Sequence, residues 1–142
     1  MDCFKAYDIR GRIPSELNES IAYRIGVAVA DYFNASSIVI GYDVRPSSID
    51  ILNALSQGIA SSNCKIFNIQ LCGTEEIYFA TNHLNTDAGI MITASHNPSD
   101  YNGMKIVGPG AKPISMDSGL SDIMRLTENA IDHFSNNPIE LI

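Results

Sequence analysis

Three short apolar runs set the terms for this chain. Ile38-Val39-Ile40, Lys65-Ile66-Phe67-Asn68-Ile69 and Ala88-Gly89-Ile90-Met91-Ile92 have strand length, and the first is wholly β-branched. Helical segments separate them. An apolar stripe of helical period, Ile51, Leu52, Leu55 and Ile59, follows the first run, with Ser47 or Ser48 as cap, and a helix with Thr74 as cap and Glu75 and Glu76 in its first turn follows the second and reaches about His83. Another stripe, Ile21, Ile25, Ala28, Val29 and Tyr32, precedes them, with Asn18 as N-cap, Glu19 in the first turn and Asn34 as the stop. Leu120, Ile123, Met124, Thr127, Ile131 and Phe134 predict a closing helix that Asn136-Asn137-Pro138 ends. Residues 1–17 read as an extended start. Strand–helix alternation of this kind predicts an α/β fold with a mostly parallel sheet, and Met104-Lys105-Ile106-Val107 supplies one antiparallel edge strand.

Composition narrows what such a fold does. A length of 142 residues suits one domain, and 45% hydrophobic residues suffice for one core. A net charge of −7 argues against a nucleic-acid partner, which calls for a basic face. It leaves room for a phosphorylated ligand, because Lys5, Arg10 and Arg12 crowd the first dozen positions. Cys3, Cys64 and Cys72 are odd in number and form no Cys-x-x-Cys pair, which fits a reducing cytoplasm. No stretch approaches the roughly 18 apolar residues of a membrane helix, so no membrane partner is expected.

The chemistry concentrates after the third run, in Thr93-Ala94-Ser95-His96-Asn97-Pro98-Ser99-Asp100-Tyr101-Asn102-Gly103-Met104-Lys105. Asn-Pro and Asn-Gly are turn signals, so a polar loop of about ten residues is expected between two strands. In α/β sheets ligands sit beyond the carboxyl ends of the strands, where this loop falls. Ser95 beside His96 admits three readings. An ordinary capped turn is the plain one. A serine hydrolase would call for a Gly-x-Ser-x-Gly elbow, and Ser95 has no glycine neighbour. A serine that carries phosphate would need cations nearby, which Arg10, Arg45 and Lys105 could supply. A histidine such as His96 can move a proton near neutral pH.

Thr93-Ala94-Ser95-His96-Asn97-Pro98 resembles the phosphoserine loop of the α-D-phosphohexomutase superfamily, the phosphoglucomutase and phosphomannomutase family. Tyr7-Asp8-Ile9-Arg10-Gly11 is similar to that family's N-terminal motif, and Asp100-Tyr101-Asn102-Gly103-Met104-Lys105 to the segment with its active-site lysine. The three stand in the family's order. The wording, including Leu71-Cys72-Gly73-Thr74-Glu75-Glu76, is most similar to bacterial phosphomannomutases that feed GDP-mannose synthesis. Tyr42 stands where the family commonly has arginine.

The resemblance implies a three-layer α/β/α sandwich with a mixed sheet, covering the family's first domain over residues 1–135, with 136–142 starting a linker to a second domain. It implies a phosphomannomutase-type reaction, mannose 6-phosphate to mannose 1-phosphate, through a hexose 1,6-bisphosphate. Phospho-Ser95 would give its phosphoryl group to the sugar and take one back. Arg10 and Lys105 would stabilise the transferring charge, and His96, Arg10 or Lys105 would move the hydroxyl proton. Tyr7 and Asn97, with Arg10, Ser95 and Lys105, would bind the phosphosugar. Mg²⁺ would meet the chain through the Ser95 phosphate, its carboxylates coming from the missing domain. This domain alone is expected to be inactive. For Arg45, an ion pair with Asp43 that pins the helix entry is at least as good a reading. A non-catalytic Rossmann-like binding module remains the alternative, with the hydrolase behind it.

Overall fold

A computed structural model describes residues 1–135. The expected linker, 136–142, lies outside the described residues. In chain order the strands are β1 (Ile9–Arg12), β2 (Ser37–Tyr42), β3 (Lys65–Leu71), β4 (Ala88–Ile92), β5 (Tyr101–Gly108) and β6 (Lys112–Pro113). The helices are α1 (Glu19–Tyr32), α2 (Ser48–Ala60), α3 (Thr74–His83) and α4 (Ser121–Asn129).

The sheet order is β1-β5-β4-β2-β3, with β6 also paired to β5. Its β4, β2 and β3 run parallel, while β5 is antiparallel to β4, β1 and β6. The sheet is thus mixed, but β5 is not the edge expected of it. The stretch read as an extended start supplies β1 beyond it, pairing Ile9 with Met104 and Arg10 with Gly103. Too short and too polar to register as a strand by itself, β1 is completed by its partner.

Alternation along the strands sorts the two faces. Ile38, Ile40, Ile90, Ile92, Met104 and Ile106 share a core with Ile25 and Val29 of α1, Leu55 and Ile59 of α2, and Ile123 of α4. On the opposite face, α3 packs on β4 and β2, with Ile77 and Thr81 buried. The molecule therefore has helices on both sides of one sheet, the three-layer arrangement.

Local signals behave unevenly. Asn18 caps α1, its Oδ1 accepting the Ile21 N–H at 2.9 Å, and Asn34 leaves the helix at a left-handed φ of 46°. Ser47 occupies the N-cap of α2 but makes no capping hydrogen bond. The cap of α3 is Gly73 rather than Thr74, with the Glu76 carboxylate accepting the Gly73 N–H at 2.8 Å. The final helix stops at Asn129, before Ile131 and Phe134. Asn102-Gly103 is not a turn: both residues lie inside β5, so the polar loop closes at residue 100. Asn102 is fully buried there, its Nδ2 donating to Ser47 Oγ at 2.9 Å and to Ser48 Oγ at 3.2 Å.

Candidate active site

The parallel pairing of β2 and β4 brings Tyr42 beside Ile92, so both strands end at one rim of the sheet. Antiparallel β5 starts at the same rim, with Met104 opposite Ile92. The serine loop and the residues that clamp it hang from those three strand ends.

Thr93 continues the sheet by one bond, donating its N–H to Gly103 O at 2.9 Å. Its hydroxyl donates to Asp43 Oδ2 at 2.6 Å and accepts the Ser95 N–H at 2.9 Å. Asp43 is itself tied to the β4 end, donating its N–H to Ile92 O at 3.1 Å. Ser95 thereby emerges from two buried residues, Thr93 and Ala94, into solvent, at a left-handed φ of 53°. A non-glycine residue held there signals a backbone fixed by its surroundings. The Ser95 hydroxyl has no hydrogen-bond partner among the described residues. Ser95 and Asn97 line a cleft of about 270 Å³ with Asp43, Val44, Arg45, Pro46 and Ser99.

Arg45 is the residue the sequence undervalued. Its ion pair with Asp43 is present, Nε to Oδ2 at 3.6 Å. That distance is beyond a hydrogen bond, and Nε stays buried without one. The rest of the guanidinium crosses to the serine loop. Nη2 donates to Ser95 O at 2.6 Å and Asn97 O at 2.9 Å, and Nη1 to Pro98 O at 2.8 Å and Tyr101 O at 3.0 Å. No sequence pattern announces this, because the acceptors are main-chain carbonyls 50 to 56 residues away.

Arg10 and Lys105 form a second group. Asp8 Oδ1 accepts from Arg10 Nε at 3.0 Å, and Asp8 Oδ2 pairs with Lys105 Nζ at 3.7 Å. Asp8 therefore holds the two cations together, a role read from the sequence only as part of a motif. Tyr7, exposed over 78% of its surface, shares with Lys105 a cleft of about 350 Å³ that Tyr78 and Ser115 also line. Arg12 pairs with Asp100 at 3.2 Å and covers the Tyr101 ring. His96 is exposed, and among the described residues its side chain makes no hydrogen bond, to Ser95 or to any other. A hydrolase needs a serine bonded to its base, and that contact is not made.

The thiols stand apart from this chemistry. Burial, with the Asp87 charge adding to it, pushes Cys64 up to about 11, and burial also raises Cys3 and Cys72. Such thiols stay protonated and inert. Among the described residues no three histidines, cysteines or carboxylates converge as a metal site, and no helix is long and apolar enough to cross a membrane.

A family model described as phosphoglucomutase/phosphomannomutase, alpha/beta/alpha domain I, matches residues 1–132. Over 128 residues the chain is 56% identical to a phosphomannomutase of Salmonella montevideo, which covers 90% of this chain and 28% of that protein. It is equally identical over the same span to a phosphomannomutase of Klebsiella pneumoniae, covering 82% of it. Among solved structures, a phosphoglucomutase/phosphomannomutase family protein from Burkholderia thailandensis superposes with a TM-score of 0.81 at 28% identity, over 89% of this chain and 30% of that one. The chain spans less than a third of the length of the first relatives it matches.

Proposed function

Because this chain belongs to the phosphoglucomutase/phosphomannomutase family and matches its domain I, we propose that it is the phosphoserine-bearing domain of a phosphomannomutase. The observation that carries the reading is the Ser95 hydroxyl: exposed, without a hydrogen-bond partner among the described residues, on a left-handed turn held by Thr93 and Arg45. A group so held can present a phosphoryl unit repeatedly in one direction, and in phosphoryl transfer positioning and charge stabilisation do most of the work.

In the resting form the Ser95 Oγ carries the phosphoryl group. A free hydroxyl oxygen of mannose 6-phosphate or mannose 1-phosphate attacks the phosphorus, the P–Oγ bond breaks, and the electron pair stays on Oγ. The hydroxyl proton passes to His96 or to the Asp8–Lys105 pair. The hexose 1,6-bisphosphate then presents its other phosphate to Oγ, and the same step in reverse leaves the isomer and a recharged serine. Arg10 and Lys105, held together by Asp8, offset the charge on the moving phosphoryl oxygens. Tyr7, in the cleft of Lys105, and Asn97, in the cleft of Ser95, would meet the sugar. A phosphate on Ser95 would be this chain's own share of an Mg²⁺ site, the remaining ligands would come from the rest of a longer enzyme, and the ion would offset charge on the phosphoryl oxygens. The phosphomannomutase names of the relatives support mannose as the sugar. The GDP-mannose route and a cytoplasmic setting complete the reading.

The test is Ser95→Ala in the full-length protein, with intact-mass analysis of the natively purified wild type. We expect a roughly 80 Da adduct on Ser95 that the variant lacks, and loss of mutase turnover with an unchanged melting temperature. Near-normal turnover from the variant would end the proposal.

A further inference from the structure

Arg45 is costly to hold where it is. Its side chain is only 9% exposed, and a guanidinium leaves water only when its donors are satisfied. It sits on the turn between β2 and α2, yet it spends all four Nη hydrogens on the carbonyls of residues 95, 97, 98 and 101. Those carbonyls converge because the chain turns sharply there, with Asn97 N–H donating to Ala94 O at 3.0 Å and Tyr101 N–H to Pro98 O at 3.0 Å. Convergent carbonyl dipoles repel one another, and a cation among them offsets that repulsion. The planar fork also fixes the distances between the four oxygens, which a point charge on a flexible stem does not do. Its grip includes the carbonyl of Ser95 itself, at 2.6 Å.

We propose that Arg45 is a positioning residue for phosphoryl transfer: through the carbonyls of residues 95–101 it sets the left-handed turn at Ser95, and with it the direction of Oγ, without touching the sugar. The catalytic half of this rests on the mutase reading; the half that concerns the loop does not. With every Nη hydrogen engaged, the guanidinium has no donor pair to offer a substrate phosphate. Asp43 completes the device, because it meets Arg45 Nε on one side and the Thr93 hydroxyl on the other. The ends of β2 and β4 are thereby coupled to the one turn that carries the hydroxyl.

Two variants and two readouts test this. In this chain, amide exchange at Ser95, Asn97 and Tyr101 is compared with that at Val39 and Ile90 in the sheet. Arg45→Gln should speed the loop amides by about tenfold or more while the sheet amides hold, because a local opening exposes only the segment it frees. Arg45→Lys keeps the charge but not the fork, and should speed the same amides to a lesser degree. In the full-length enzyme, both variants should lower kcat, Arg45→Gln by about 100-fold, as misplacement of a reacting group does. KM for the sugar phosphate should stay within about threefold. A lysine variant with wild-type exchange and wild-type kcat overturns the proposal, and so does a raised KM with kcat intact, which would make Arg45 a substrate ligand. Should Arg45→Gln loosen the sheet amides as well, Arg45→Lys decides. A wild-type enzyme without mutase turnover sinks the mutase reading, while the exchange data still decide whether Arg45 fixes the loop.

Discussion

At the scale of single residues, the site depends on an atom that is missing. Gly103 sits opposite Arg10 in the β1–β5 ladder. A Cβ built on it would run into the Ile9 carbonyl and the Arg10 Cα, both backbone. The bare glycine lets β1 lie close enough for Arg10 and Lys105 to meet across Asp8. Gly103→Ala must push β1 outward, since no flexible side chain stands there to give way. We expect it to destabilise the chain by about 1–3 kcal/mol, the usual range for overpacking, read from the urea midpoint at constant m-value. In the full-length enzyme it should weaken activity, because Asp8 and Arg10 move with the strand. A wild-type urea midpoint would mean that β1 retreats at no cost and is not a fixed wall of the site.

At the scale of elements, α1 and α2 pack backbone to backbone. A Cβ on Gly58 would overlap the Tyr23 carbonyl, and one on Gly26 would overlap the Leu55 carbonyl. An exposed helix gains up to about 1 kcal/mol when an interior glycine becomes alanine. Here the sign should reverse: Gly58→Ala should cost about 1–3 kcal/mol by forcing the helices apart. Thermal melts with a raised midpoint would show that the pair separates freely. Such a crossing is invisible in sequence, where both glycines read as weak points in otherwise periodic helices. What was legible is what a single element decides for itself. The stripes of α1 and α2, the acidic entry of α3 and the β-branched core of β2 follow from local sequence, as does the Asn18 cap. What was not legible is decided by partners. β1 is a strand only because β5 is beside it. Asn102-Gly103 has turn chemistry, but Ser47 and Ser48 bind the Asn102 amide within the sheet. Phe134 keeps helical spacing beyond α4 yet packs on the core from a non-helical segment. There the Ser135 N–H and C=O both pair with the Gln57 carboxamide, at 3.1 and 2.7 Å. The serine loop was legible as a loop, and its clamp was not, because Arg45 reaches it across the fold.

At the scale of the whole molecule, the rim that carries Ser95 also exposes apolar side chains among the described residues. Val44, Ile49 and Leu71 are 82%, 54% and 57% exposed, and with Tyr42 and Pro46 they border an apolar cleft of about 420 Å³. That cleft shares Asp43, Val44, Arg45 and Pro46 with the cleft of Ser95. Apolar side chains grouped at a functional rim mark a surface that meets something else. Within the mutase reading, further domains of a longer enzyme are what meets it. They would hold the far phosphate of the sugar, supply the metal's carboxylates and exclude water from the transfer. This chain offers the serine, the Arg10–Asp8–Lys105 group and one wall. A grip on both ends of the substrate supplies positioning, and exclusion of water strengthens the charge stabilisation. The 142-residue chain should therefore fold, bind an apolar fluorescent dye at this rim, and show no mutase turnover with mannose 1-phosphate and hexose 1,6-bisphosphate. Val44→Glu should leave its melting temperature within a degree or two, since an exposed side chain away from the core contributes little, yet weaken dye binding. The same substitution should lower turnover in the full-length enzyme. Turnover at the full-length rate from these residues alone would mean that one open wall is enough for the chemistry.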